Sequence, residues 1–194
     1  MAGVWLTGRA MKRLVIFAAS LLALGGCTVE AVPPTSASVP TVPVPVATSP
    51  PPATSVAAVA PAAPEPVADG PCPYLGSGDV AEANGQRVTK VRISADKPHP
   101  ACFFYRPDGS VQLTVRIYAG DAAVAKAIVD EAAPVATSDP AKSPQGWKGG
   151  SLSGEKGAVY AVAKDGTAVV VTTNQAQTIK ARRIVEAVIA KLGL

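Results

Sequence analysis

Apolar and polar positions alternate most cleanly from Val111 to Tyr118. Val111, Leu113, Val115 and Ile117 fall on one side and Gln112, Thr114, Arg116 and Tyr118 on the other, the period of a half-buried strand. A shorter alternation over Arg87–Ile93 points Val91 and Ile93 inward and Lys90 and Arg92 outward. Ala101–Arg106 predicts a strand between these two. It joins the longest one through Pro107-Asp108-Gly109, where proline presets φ and glycine permits positive φ. Ala158–Lys164 and Thr167–Thr173 predict a further hairpin around Asp165-Gly166, a strong turn dipeptide.

Three segments carry helical periodicity. Asp79–Ala83 predicts a short helix capped by Ser77 or Gly78 and closed by the left-handed turn of Asn84-Gly85. Asp121–Ala133 predicts a helix with a buried stripe of Val124, Ile128 and Ala132, stopped by Pro134. The C-terminal segment starts with Asn174 and Gln177 at capping-box spacing. It carries a wide apolar stripe of Ile179, Ile184, Val185, Val188, Ile189 and Leu192. From Pro134 to Gly157 no period holds, which predicts a long loop. The expected fold class is therefore α+β: an antiparallel sheet of about five strands, order α-βββ-α-ββ-α, with two to three helices packed on one face. The other face, with Lys90, Arg92, Gln112, Thr114 and Arg116, would be solvated or would meet a partner.

The N-terminal third follows different rules. Lys12 and Arg13 precede an apolar run, Leu14–Leu24, that is too short to span a bilayer and suits a secretory signal. Met11 makes a better start than Met1, because it places these charges at the very N-terminus. The run ends in Leu24-Gly25-Gly26-Cys27, which predicts a signal peptide over 1–26 and lipidation of Cys27. From 27 to 70 the chain is Pro-, Ala-, Val-, Thr- and Ser-rich, with Pro33-Pro34 and Pro50-Pro51-Pro52. Proline removes donors and fixes φ, so this stretch predicts a disordered tether. Its full reach is on the order of 130 Å at polyproline II rise. Residues 71–194 then predict a single globular domain.

Charge changes with processing. The whole chain has 18 basic and 14 acidic residues, formal net charge +4. Cleavage before Cys27 removes Arg9, Lys12 and Arg13 and leaves a net charge near +1. Basic side chains are not interleaved with aromatics, which argues against nucleic acid as a partner. Cys72 and Cys102 remain after Cys27, and an oxidising compartment favours a disulfide between them over two buried thiols.

Candidate chemistry is sparse. His99 is the single imidazole and lies between Pro98 and Pro100, so no metal site and no Ser-His-Asp base is predicted. Gly149, Gly154 and Lys156 fail the phosphate-loop pattern, because Glu155 precedes the lysine and Gly157 follows it. Ser94-x-x-Lys97 and Ser153-x-x-Lys156 lie in loops or strand ends, away from the helix start that such a motif needs. Asp130-Glu131 reads as solvated charge at a helix end. No catalytic residue and no cofactor is expected, and an enzyme is disfavoured. Two groups remain as partner-binding candidates. Trp147, set among glycines, is either an exposed anchor or a plug for an aliphatic core. Lys90, Arg92 and Arg116 would form a basic patch if their strands were adjacent, or else an ordinary solvated face.

Lipobox, Pro/Ala/Thr tether, Cys72-Pro73-Tyr74-Leu75, the helix ending at Asn84-Gly85, and Cys102 followed by aromatics together resemble small actinobacterial, mycobacterial-type envelope lipoproteins of unknown function. That resemblance implies a palmitate-bearing membrane anchor at Cys27, a position on the extracytoplasmic side of the cell membrane, and a disulfide. It brings no activity. The expected function is a non-catalytic binding or scaffolding module whose partner is an envelope protein or wall polymer. The alternative is a carrier of lipid or of a small apolar ligand.

Overall fold

Strands dominate the folded region. A computed structural model describes residues 58–194, and the signal segment, Cys27 and most of the expected tether lie outside them. Eight strands, all paired antiparallel, form one sheet in the order β1-β2-β3-β4-β8-β7-β6-β5. They are β1 (Ala68–Asp69), β2 (Lys90–Ile93), β3 (Cys102–Tyr105), β4 (Val111–Ala119), β5 (Asp139–Ser143), β6 (Trp147–Gly154), β7 (Gly157–Lys164) and β8 (Thr167–Thr173). Three α-helices accompany them: α1 (Ser77–Asn84), α2 (Ala122–Ala132) and α3 (Thr178–Leu192).

The helices form where local chemistry starts and stops them. Asp121 caps α2 by accepting from the N–H groups of Ala123 and Val124. Gly85 and Gly193 close α1 and α3 in the left-handed region, at φ 71° and 66°. There a residue without Cβ meets no steric cost.

The sheet is covered on both sides. On one side α3, with α1 beside it, packs over Phe104, Leu113, Val115, Val169, Val171, Tyr160 and Val162. On the other, Ala125, Ile128 and Val129 of α2 pack on Ala161, Ala168 and Val170. Side chains alternate across a strand, so Val169 and Val171 face α3 while Ala168 and Val170 face α2. This corrects the expected fold class in three respects: the sheet has eight strands rather than about five, the element order is β-α-βββ-α-ββββ-α, and the helices are not confined to one face.

Two missed regions account for the difference. The expected loop after Pro134 contains β5 and β6, joined by a 3₁₀ turn at Pro144–Gly146 with Gln145 and Gly146 at positive φ. The expected tether contains β1, so folded structure starts before Pro71. Val67 N–H donates to Ile93 O and Gly70 N–H to Val91 O, which adds the segment to the edge of β2.

A disulfide, Cys72–Cys102, ties the chain just after β1 to β3. Closing a loop of this size stabilises by about 3–4 kcal/mol in the chain-entropy model. A buried polar cluster joins α1, β4, β8 and α3 on the α3 side. Asn84 Nδ2 donates to Gln112 Oε1 at 3.1 Å, and Thr173 Oγ1 donates to Asn84 Oδ1 at 2.6 Å. Gln112 Nε2 donates to Arg87 O, and Lys180 Nζ to Asn84 O. Asn174 is therefore not a helix cap: its side chain accepts from Asn84, and Gln177 holds the N-cap position of α3 without a side-chain hydrogen bond.

Candidate functional site

On the α2 face, small residues leave space that large ones fill on the α3 face. Gly150 of β6 and Ala161 and Ala163 of β7 lie below α2. The floor at Gly150 is tight, because a Cβ there would come within 2.9 Å of Ala133 Cβ and 2.6 Å of Ser138 Oγ. A cleft of about 460 Å³ opens between α2 and strands β5 to β7. Val129, Ala133, Pro140, Gly150 and Ala163 give it an apolar lining, and Val135 stands exposed at its rim.

The rim is charged. Lys126, Lys148 and Lys164 border the cleft together with Asp130 and Asp165. Lys126 pairs with Asp130 one helical turn away. Lys148 stands directly opposite Lys142 across the β5–β6 ladder. Like charges so placed repel, and an anion between them would relieve that repulsion. Both sit near the β5 edge, where lysine and Pro140 also discourage pairing with another strand.

A second opening of about 500 Å³ lies on the α3 side near the start of that helix, walled by Ser151, Tyr160, Thr178, Ile179 and Arg182. Two of its polar groups are already engaged. Tyr160 donates to Lys142 O at 2.8 Å, and Arg182 Nε donates to Glu186 at 2.7 Å.

The residues singled out from sequence are scattered. Trp147 is 1 % exposed and sits in the α3-side core, so it fills space and presents nothing to a partner. Its indole N–H finds no acceptor among the described residues, a cost of about 1–3 kcal/mol. Lys90 and Arg92 meet Asp69 of β1 at 3.2 and 3.0 Å. The Arg92 contact is an ion pair whose angle does not make a hydrogen bond. Arg116 stands on β4, with β3 between it and β2, so the three cations do not form one patch. Its Nη2 donates instead to Pro61 O at 2.8 Å and Ala62 O at 3.1 Å. Cys72 and Cys102 are joined, and Cys27 lies outside the described residues.

His99 stacks edge-on to Tyr74, with ring centroids 6.3 Å apart. The Tyr74 hydroxyl donates to Pro100 O at 2.7 Å. Burial, reinforced by the negative charge of Asp96, holds this phenol protonated well above its usual range. Among the described residues no three His, Cys, Asp or Glu side chains gather as a metal site would require. No helix there is long and apolar enough to cross a membrane.

Sequence reasoning missed the cleft, because its walls come from the segment read as a loop. A signal was present in the lysines and small residues of Lys142–Gly150, which suit an exposed strand edge beside a shallow floor. No curated protein matches the chain. Residues 58–194, however, match the family model of a domain of unknown function, DUF2020, and the chain belongs to that family.

Proposed function

We propose that this protein is a lipid-anchored, extracytoplasmic lipoprotein whose folded domain binds a component of the cell envelope on its α2 face and catalyses no reaction. The observation that carries the binding reading is the cleft beside α2, with an apolar floor under a rim on which Lys126, Lys148 and Lys164 outnumber Asp130 and Asp165. A cleft that is mostly apolar with a few placed charges is the usual form of a ligand site. The lysines favour a ligand or partner carrying negative charge, such as an acidic wall polymer or an acidic protein surface.

Location rests on sequence. The charged start, the short apolar run and Leu24-Gly25-Gly26-Cys27 support export and acylation, and two acyl chains anchor stably where one does not. The Cys72–Cys102 bridge suits an oxidising compartment. A second reading, carriage of a lipid or small apolar ligand, draws on the same apolar floor. That floor is open to solvent on one side, which fits a surface contact better than full enclosure of a chain.

Retention on isolated envelope tests the binding reading. The domain carrying Lys148→Glu should be retained several-fold less than wild type, and Lys191→Glu, on α3, should leave retention unchanged. Equal retention of all three contradicts the assignment to the α2 face. Lipid found by mass spectrometry in the purified domain would favour the carrier. Acyl mass on Cys27, and loss of membrane fractionation in Cys27→Ser, test the anchor separately.

A further inference from the structure

The opening beside the start of α3 gathers three features that packing alone does not explain. First, Ser151 lines it although that residue is only 9 % exposed. Its hydroxyl makes no hydrogen bond among the described residues, and a nearly buried hydroxyl calls for a partner. Second, α3 starts bare. Gln177 makes no capping bond, and no acidic residue stands in the first turn. Asp121, by contrast, serves the first N–H groups of α2. The positive end of a 15-residue helix, with its unpaired N–H groups, therefore borders the opening through Thr178 and Ile179. Third, Ile179 turns an apolar side chain to solvent there. We infer that this opening is a seat for the phosphate group of a small organic molecule, separate from the cleft on the α2 face.

The charge suits an anion. Arg182 lines the opening one turn into α3, and no carboxylate lines it. Glu186 accepts from Arg182 Nε alone, which leaves both Nη groups to donate. Asp139 stands opposite Ser151 in the β5–β6 ladder, but it is exposed and does not line the opening. Lys142 contributes its main chain, whose carbonyl accepts from Tyr160. By register its side chain shares the α2 side with Lys148. The donors also set the kind of anion. Two Nη groups, the hydroxyls of Ser151 and Thr178 and the first N–H groups of α3 outnumber the roughly four lone-pair sites of a carboxylate. A phosphate offers three terminal oxygens, matches an arginine fork and settles at helix N-termini. At about 500 Å³ the space exceeds a bare phosphate and falls within the range of small-molecule sites. Ile179, Pro140 and Ala141 then give the organic part an apolar wall.

Amide chemical shifts followed on titration test this with the full chain in mild detergent. The probes are inorganic phosphate, glycerol 3-phosphate and acetate. The expected result is saturable movement of the Thr178 and Ile179 amides, reached at lower concentration with glycerol 3-phosphate than with inorganic phosphate. Arg182→Gln should weaken binding by about ten-fold or more, because it removes the charged fork. Ser151→Ala should weaken it several-fold. Lys191→Gln, in the last turn of α3, should leave it unchanged. So should Lys148→Glu, which tells failure here apart from failure of the α2-face reading. Equal binding of the two phosphates would overturn the organic part of the inference, and acetate acting at the same concentrations would overturn the choice of phosphate. No saturable shift with any probe, or shifts that Arg182→Gln and Ser151→Ala leave unchanged, overturns it entirely.

Discussion

The two faces of the sheet are built from different residues, and they pack differently. The α3 face holds Phe104, Leu113, Trp147, Ile184, Val185 and Val188, all at most 2 % exposed, together with the polar cluster around Asn84. The α2 face holds alanines, a glycine floor, and one helix with a cleft on each flank. Large side chains supply most of the burial energy of a core, at roughly 25 cal/mol per Å² of apolar area. Stability is therefore concentrated on the α3 side, and the α2 side is the more loosely packed of the two.

Truncating matched isoleucines breaks or sharpens this contrast most strongly. Ile184→Ala on α3 should cost about 4 kcal/mol, because close-packed neighbours cannot collapse into the hole. Ile128→Ala on α2 should cost about 2 kcal/mol, since small neighbours and the adjoining cleft relax around it. Denaturant unfolding of the two variants measures the difference, and equal costs would remove the asymmetry. Loss of the disulfide through Cys72→Ser with Cys102→Ser should cost about 3–4 kcal/mol. The added effect of reductant on wild type, and its absence in the double variant, checks the assignment. Asn84→Ala should cost about 2 kcal/mol by stranding Gln112 and Thr173 among buried neighbours. Asn84→Asp would separate loss of hydrogen bonds from loss of volume.

The smallest effect is one of pH. Tyr74 is held protonated by burial in the fold and ionises near its ordinary value of about 10 once unfolded. The native state therefore binds the proton more tightly. This contribution is complete below the unfolded value and declines as pH rises above it toward the higher folded value. Stability should fall more steeply above about pH 10 in wild type than in Tyr74→Phe. Parallel curves would show that Tyr74 makes no such contribution.

Much of the α3 side was legible in the sequence. The Val111–Tyr118 alternation, the Asp165-Gly166 turn and the apolar stripe of the last helix each correspond to an observed element. Ile179 and the start of β4 are exceptions: Ile179 was placed in the stripe but stands 50 % exposed at the first turn of α3, and Val111 is 39 % exposed while Gln112, expected on the open face, is 1 % exposed beside the register shift of β3. The α2 side was harder to read, because its strands lack the usual marks. β5 and β6 contain three glycines and a proline and no β-branched residue. They hold their place through the ladder to β7, and strand formation depends on such context more than on intrinsic preference. Two-sided coverage did leave a trace. Ala168-Val169-Val170-Val171 is an unbroken apolar run, as in a strand buried on both faces, where alternation would mark one open face. β1 left none, since two residues beside prolines form a strand only when an edge is waiting for them.

Hydrogen exchange resolved by residue under native conditions tests the contrast between the faces most directly. Amides of α3, and of β8 beneath it, should exchange only with global unfolding, whereas α2 and residues 67–70 should exchange through partial openings of lower free energy. Protection of α2 and of residues 67–70 equal to that of α3 would contradict the account.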